Sequence, residues 1–118
     1  MRDDRRALLR GLIGKPYLAG GEGPDAFDCY GLARYVLREL YGVRLPETRQ
    51  APIPRRAWRR LAEPVDGAVV LMGVTDTHIG VFVAGGVLHA MSDIGVVFDD
   101  LLSLRFRGFS HLRIYTPA

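Results

Sequence analysis

One cysteine and a small set of histidines are the residues of this chain best suited to covalent catalysis. Cys29 lies in the segment Phe-Asp-Cys-Tyr-Gly-Leu, residues 27–32, where a glycine-rich loop leads into an amphipathic helix. The thiolate is the nucleophilic form of a cysteine, and a helix N-terminus or a nearby imidazolium lowers the thiol pKa from its usual value of about 8.5. The unpaired amides of a first helical turn also attract negative charge. The position of Cys29 therefore predicts a nucleophile with part of an oxyanion hole beside it.

A cysteine nucleophile needs a base, and the base needs a partner that orients it. Of the three histidines, His78 is the predicted base because it opens a β-rich segment, residues 78–83, after a polar stretch. Alternation along that strand places His78, Gly80 and Phe82 on one face. Gly80 is expected to leave open space beside the imidazole, as the approach of a substrate requires.

The residues leave two alternatives for the orienting partner of His78. A two-residue turn at Gly85–Gly86 would pair Asp93 with His78 and His89 with Phe82. His89 would then share the face of His78 but lie about 13 Å along it, at ~3.3 Å per residue. A strong twist or a bulge would close that gap. His89 and Asp93 therefore both stand as candidates.

Hydrophobic spacing predicts helices first and then an antiparallel sheet, an α+β arrangement. Helices are expected over residues 3–13 and from an N-cap at Asp28 to a closing Gly42, with at most one short helix around residues 57–61 and a single turn at 101–104. The predicted strands cover residues 68–72, 78–83, 87–91, 96–98 and 112–115.

Length and composition limit the alternatives. A chain of 118 residues predicts one domain, residues 1–118. A single cysteine excludes an internal disulfide and a cysteine-based metal site. The spacing of His78, His89 and a carboxylate is not a zinc signature, and neither a metal nor a cofactor is expected. The net charge of +3 comes with arginine clusters at residues 2–10 and 55–60, which are interpreted as solvated helix faces and not as a nucleic-acid surface. No segment predicts a membrane span or a signal peptide, so the chain is expected to be cytoplasmic as synthesised.

Several motifs, in order, resemble the NlpC family of papain-like cysteine peptidases. Residues 14–32 contain Gly-Lys-Pro-Tyr, Gly-Gly and Phe-Asp-Cys-Tyr-Gly-Leu, similar to P-Y-x-x-G-G and F-D-C-S-G-L in that family. Residues 78–83 resemble its H-V-G-I-Y-L strand, residues 86–90 its G-x-x-I-H-A segment, and residues 66–71 its P-G-D-L-V-F strand. The resemblance extends from about residue 10 to residue 115.

The resemblance implies a papain-like fold in which the central helix begins at the cysteine and packs on an antiparallel sheet. It implies Cys29 as nucleophile, His78 as base and His89 as the orienting residue, and so favours His89 over Asp93. The amide of Cys29 and the hydroxyl of Tyr17 would lie near the oxyanion. The implied reaction is amide hydrolysis through a thioester acyl-enzyme, usually on the stem peptides of bacterial cell wall.

Two departures from the family pattern bear on the substrate. Tyr30 replaces a serine that helps to grip the free amine of a stem peptide, and Ala19 replaces an aromatic residue before Gly-Gly. Asp28 is kept, and it is expected to hold an ammonium group.

Residues 28–35 and 42–46 look most like the branch of the family found in phage tails, prophages and gene-transfer particles. That branch implies association with a phage-tail-like particle, with tail proteins as partners and local digestion of the cell wall as the task. The alternative function is that of a tail-assembly protein that processes a protein substrate or is structural and non-catalytic.

Overall fold

A computed structural model describes residues 3–45, 58–73 and 78–117. Within these ranges the elements follow the order α1 (Asp3–Leu12), α2 (Cys29–Tyr41), β1 (Trp58–Leu61), β2 (Val69–Met72), β3 (His78–Val83), β4 (Gly86–Met91), β5 (Gly95–Asp99), α3 (Leu101–Phe106) and β6 (Leu112–Pro117). The strands form one antiparallel sheet in the order β1-β6-β2-β3-β4-β5. Helix α2 packs against β3 and β4. The predicted α+β architecture is confirmed.

Helix α2 begins and ends where its sequence predicts. The Asp28 carboxylate accepts a hydrogen bond from the amide of Gly31 at 2.7 Å, as an N-cap does. Gly42 adopts a left-handed conformation, with φ of 63°, and its amide donates to the carbonyl of Arg38. The apolar stripe between these caps is buried and includes Leu32 and Val36.

The sheet has a different core on each face because its side chains alternate. The main core lies between α2 and the face that carries Val69, Ile79, Val81, Leu88 and Ala90. The smaller core lies on the opposite face, where α3 contributes Leu104 to a cluster with Val70, Met72, Val87 and Ile114. Pairing of His78 with Met72, and of His89 with Gly80, places both histidines on the face of the smaller core.

The C-terminal end of α2 lies at the end of β3. The ring of Tyr41 is 3.0 Å from the position that a Cβ on Gly67 would occupy. The amide of Gly67 in turn donates to the carbonyl of Phe82 at 2.7 Å, near the last residue of β3.

The N-terminal end of α2 lies at the opposite end of the sheet. Just before the helix, the amide of Phe27 donates to the carbonyl of Pro16 at 3.1 Å, and the neighbouring Lys15 carbonyl accepts from Val96 at 2.9 Å. Val96 pairs with Ala90, near the end of β4. Since β3 and β4 are antiparallel, this is the end at which β3 begins. Helix α2 and strand β3 therefore run in the same direction.

The segment around residues 57–61 is not helical as predicted. Trp58–Leu61 forms the edge strand β1, which pairs with β6. Trp58 is buried while Arg59 and Arg60 are exposed, so these two arginines lie on a strand edge and not on a helix face. Pairing with a strand at the far end of the chain overrides a local pattern that is too short to define a period. Residues 46–57, including Arg55 and Arg56, lie outside the described residues.

The turn of the β3–β4 hairpin is one residue earlier than predicted. Ala84 and Gly85 occupy it with φ of 54° and 84°, both in the left-handed region that a tight hairpin turn requires. Gly86 belongs to β4, where a Cβ would lie 2.7 Å from the ring of Phe98, so close packing explains this glycine. Every cross-strand partner consequently moves by two residues relative to the prediction.

Candidate active site

Cys29 is the first residue of α2 and is half-buried. It packs against the main core, and the loop that contains Gly21 passes directly over the first turn of the helix. A Cβ at position 31 would overlap the carbonyl oxygen of Gly21, so only a glycine at position 31 permits this approach. The thiol is thereby held at a helix N-terminus between a packed loop and the core.

Asp28 ties that loop to the helix. Its side chain is fully buried, with Oδ1 accepting from the Gly31 amide at 2.7 Å and Oδ2 from the Gly20 amide at 2.9 Å. Both carboxylate oxygens thus accept hydrogen bonds from the backbone. The geometry gives Asp28 a structural task beside the cysteine, and its binding of a substrate ammonium stays a prediction.

The two tyrosines named from the sequence have different surroundings. Tyr17 is half-buried and forms an isolated β-bridge with Phe27, so its backbone lies beside a residue two positions before Cys29. Tyr30 is only 5% exposed and lies in the main core, so little of its ring is available to a ligand. The oxyanion role of Tyr17 and the substrate-binding role of Tyr30 stay predictions.

His78 and His89 face each other across the β3–β4 hairpin. Nε2 of His78 lies 2.8 Å from Nδ1 of His89, and the ring planes are at 79°. The register explains the contact: His89 pairs with Gly80, so His78 is its diagonal neighbour on the same face. The predicted separation of about 13 Å was therefore wrong, because it assumed the later turn.

Asp93 does not lie opposite His78. It is exposed in the turn between β4 and β5, and His89 is the residue that contacts the predicted base. Gly80 also differs from expectation. A Cβ there would lie 2.6 Å from Cγ1 of Val87 and 3.0 Å from the carbonyl oxygen of Leu88, so the glycine allows tight packing and leaves no open approach path.

A buried acid and an arginine continue the contact beyond His89. Nε2 of His89 lies 2.7 Å from Oδ2 of Asp99, and Nε of Arg107 donates to the same oxygen at 2.6 Å. His89 is fully buried and Asp99 is 6% exposed. Arg107, Asp99, His89 and His78 form a continuous hydrogen-bonded row, called here the histidine relay.

Phe109 covers both imidazoles. Its ring stacks on His78 with 5.0 Å between centroids and 6° between planes, and it meets His89 edge-on at 6.0 Å. Burial, together with the charge of His89, lowers the pKa of His78 to about 4. Burial also lowers the pKa of His89, outweighing the opposing hydrogen bond and charge of Asp99. Both imidazoles are therefore neutral at pH 7.

The acid end of the relay fixes where the protons lie. Burial alone would raise the pKa of Asp99, but hydrogen bonds from Arg107 and His89 outweigh it and hold this pKa below its usual value. An ionised Asp99 only accepts hydrogen bonds, so Nε2 of the neutral His89 carries the proton and Nδ1 is left as an acceptor.

Sequence reasoning missed Asp99, Arg107 and Phe109. Asp99 could have been found from strand alternation. Val97 pairs with His89, and side chains two residues apart on a strand share a face, so Asp99 lies on the face of His89. Arg107 and Phe109 follow α3 in an irregular segment, so no local pattern points to them. His111 is exposed and precedes β6.

Two classes of feature are absent from the part of the chain that the structure describes. In residues 3–45, 58–73 and 78–117 no group of three or more His, Cys, Asp or Glu side chains is arranged to hold a metal ion. The helices in these ranges are too short or too polar to cross a bilayer.

The fold resembles several solved structures. It superimposes on the NlpC/p60 domain of the peptidoglycan hydrolase SagA with a TM-score of 0.67 and 20% identity, covering 93% of this chain and 94% of that one. NlpC2 from Trichomonas vaginalis gives a TM-score of 0.67 at 20% identity, over 95% of this chain and 46% of its own. At such identities the likeness shows the fold alone, and it confirms the predicted papain-like NlpC architecture.

Curated relatives are similar in sequence. The probable endopeptidase p60 of Listeria innocua is 34% identical over 91 residues, which are 75% of this chain and 19% of p60. The bifunctional muramidase/DL-endopeptidase CwlT of Bacillus subtilis is 33% identical over 98 residues, 76% of this chain and 29% of CwlT. The chain thus spans less than a third of the length of either relative. The profile described as NlpC/P60 family matches residues 14–115, and this chain belongs to that family.

Proposed function

We propose that this domain is a cysteine endopeptidase or amidase that hydrolyses amide bonds in peptidoglycan stem peptides. The observation that carries the proposal is the pair His78–His89, at 2.8 Å, oriented by a buried carboxylate. A base held in this way is what a thiol nucleophile needs. The relatives p60 and CwlT, which carry endopeptidase names, support the reaction class and the cell-wall substrate.

The elements support a common site for nucleophile and base. Cys29 and His78 are the first residues of α2 and β3, and these two elements run in the same direction. Both residues therefore lie at the same end of the sheet. The imidazole belongs to the face opposite α2, so thiol and base would meet around the end of β3 and not across its middle.

The proposed reaction begins with proton transfer from the Cys29 thiol to Nδ1 of His78 as sulfur attacks the substrate carbonyl. The resulting oxyanion accepts hydrogen bonds from the Cys29 amide and, in this proposal, from the Tyr17 hydroxyl. The imidazolium returns its proton to the leaving amine, and the C–N bond breaks to give a thioester. A water then attacks the thioester, with His78 as base. This step releases the acid and restores the thiol.

His89 is the orienting residue of this proposal. Its Nδ1 accepts the Nε2 proton of His78, which fixes the ring and stabilises the imidazolium that forms during acylation. Because the pKa of His78 is lowered to about 4, its imidazole is neutral at pH 7 and can accept the thiol proton.

Mass spectrometry of purified muropeptides tests the substrate. We expect wild-type protein to cut a bond within the stem peptide, and we expect Cys29→Ser and His78→Ala to be inactive while remaining folded. Products from wild type and from Cys29→Ser alike would contradict the proposal. No product from a protein whose Cys29 reacts rapidly with iodoacetamide would redirect the search to protein substrates, the alternative suggested by the departures of Tyr30 and Ala19 from the family pattern.

We also propose that the chain acts in association with a phage-tail-like particle after synthesis in the cytoplasm, with tail proteins as partners. The support is the resemblance of residues 28–35 and 42–46 to the phage-tail, prophage and gene-transfer-particle branch. Particles purified from the producing cells should contain the chain in a fixed ratio to tail protein. Its presence only in fractions free of particles would contradict this context.

A further inference from the structure

We propose that Asp99 and Arg107 are positioning residues that select the reactive tautomer of His78. This inference deepens the proposed function and rests on it. The structural basis is the shared oxygen Oδ2 of Asp99, which lies 2.7 Å from Nε2 of His89 and 2.6 Å from Nε of Arg107. Neither residue is required to touch the substrate.

Two facing imidazoles leave the position of the shared proton undetermined. Either His78 donates through Nε2 to His89, or His89 donates through Nδ1 to His78. In the second arrangement the remaining proton of His78 lies on Nδ1, so His78 has no free nitrogen with which to accept the thiol proton. Only the first arrangement makes a base. An acceptor at the far nitrogen of His89 decides between them, and Asp99 is that acceptor.

Asp99 reaches His89 for the same reason that His78 does. Asp99 pairs with Val87, and His89 pairs with Val97, so the acid is a diagonal neighbour of His89 on the common face. His78 on β3, His89 on β4 and Asp99 on β5 thus form one diagonal row across three adjacent strands. Strand register, not a flexible loop, sets the spacing of these three side chains.

Arg107 keeps the carboxylate ionised. Burial favours a protonated Asp99, and a protonated acid could donate to His89 and reverse the tautomers. The Arg107 hydrogen bond opposes this effect and raises the pKa of the guanidinium itself. Arg107 follows the short helix α3, where its amide donates to the carbonyl of Ser103 at 3.0 Å. Helix α3 therefore positions the Arg107 guanidinium that keeps Asp99 ionised.

Within residues 3–45, 58–73 and 78–117, the following groups face the histidine relay. Strand β3 presents His78, strand β5 presents Asp99, and the segment after α3 presents Arg107, while Phe109 and Met72 are apolar. The charges of Asp93 and Asp100 also act on the relay, through Arg107 and Asp99 respectively. The Asp100→Asn control therefore separates the loss of a nearby charge from the loss of the acceptor at Asp99.

The first test is Asp99→Leu with Asp100→Asn as a control, since both variants remove one negative charge from adjacent positions and only the first removes the acceptor of His89. Asn at 100 still caps α3. Nitrogen-15 NMR of the imidazoles in the resting protein should show His78 protonated at Nε2 in wild type and in Asp100→Asn. In Asp99→Leu no acceptor faces Nε2 of His89, so a large share of His78 should carry its proton on Nδ1. The value of kcat should fall about 100-fold or more, with KM within about threefold.

The second test is Arg107→Gln, with Arg105→Gln as control. Removing the cation raises the pKa of Asp99, so activity should be lost on acidification at a higher pH than in wild type. Arg105→Gln should reproduce the wild-type pH profile. This variant keeps Asp99, so it tests the inference even where Asp99→Leu fails to fold.

The tautomer measurement separates this inference from the proposed function. The NMR measurement needs no substrate. An inactive wild type would contradict the proposed function, while NMR would still test the tautomer of His78. A wild-type His78 protonated at Nδ1 would overturn the inference. So would tautomers and kcat that are the same in Asp99→Leu and Asp100→Asn.

Discussion

His78 and His89 are diagonal neighbours across an antiparallel pair, with Nε2 of the first 2.8 Å from Nδ1 of the second. A direct pair would have stacked the two rings side by side, whereas the diagonal offset lets one edge nitrogen face another. The same offset repeats between His89 and Asp99. The two diagonal contacts thus place His78, His89 and Asp99 in one row of hydrogen bonds across three strands.

The first prediction concerns the pH dependence of turnover. His78 acts as a base only when neutral, and burial lowers its pKa to about 4. We therefore expect kcat/KM to remain high from pH 7 to about pH 5 and to fall as pH drops through 4. A pH–rate profile on a stem-peptide substrate measures this limb. A loss of activity centred near 6.5, the usual pKa of histidine, would contradict the buried environment of His78.

The second prediction concerns stability. The pKa of His78 is lower in the folded protein than in the unfolded chain, so between about pH 6.5 and 4 the unfolded state binds more protons. The contribution of each such histidine to the free energy of unfolding should be fully present above this window. It should fall as pH decreases through the window, by up to about 1.4 kcal/mol per pH unit for each histidine. Denaturant unfolding at stepped pH measures the slope. His78→Gln should show a shallower slope, and an unchanged slope would argue against a depressed pKa.

The third prediction concerns Phe109, which stacks on His78. Phe109→Ala should admit water to the imidazole pair and raise the pKa of His78 toward its usual value, because burial is the main cause of the shift. NMR titration of the imidazole measures that change. Phe106→Ala is the matched control, since Phe106 is 86% exposed. Equal titration curves for the two variants would show that Phe109 does not shield His78.

The fourth prediction concerns the first turn of α2. Gly31→Ala would place a Cβ against the carbonyl oxygen of Gly21 and force apart the loop and the helix that carries Cys29. We expect a loss of about 1–3 kcal/mol in unfolding free energy, as in overpacked cores. Gly11→Ala meets no atom within 4 Å and should instead stabilise α1 by up to about 1 kcal/mol. Thermal unfolding of both variants gives the comparison, and equal shifts would contradict the packing described here.

Local signals account for the elements that the sequence predicted correctly. Asp28 and Gly42 mark the ends of α2 because capping depends on the residue itself and its immediate neighbours. The continuous apolar run that forms β2 is recognisable for a similar reason, since a strand buried on both faces excludes polar residues. The same signals predict Cys29 at a helix N-terminus without reference to any tertiary contact.

Register and long-range pairing account for what the sequence did not show. The dipeptide Gly85–Gly86 looks like a turn, but its second glycine is required by the ring of Phe98 on a neighbouring strand. That contact is tertiary, and one residue of difference in the turn moved His89 from Phe82 to Gly80. Arg107 reaches Asp99 only after α3 folds over the sheet, so its part in the relay had no local signature.

The most direct measurement is intact-protein mass spectrometry of acid-quenched mixtures of the enzyme with a stem-peptide substrate, followed by peptide mapping. The account predicts a mass increase equal to the acyl part of the substrate, mapped to Cys29, lost on treatment with hydroxylamine and nearly absent in His78→Ala. A substrate cut by wild type with no adduct on Cys29 at any quench time, and cut equally fast by Cys29→Ser, would contradict thiol catalysis at this site.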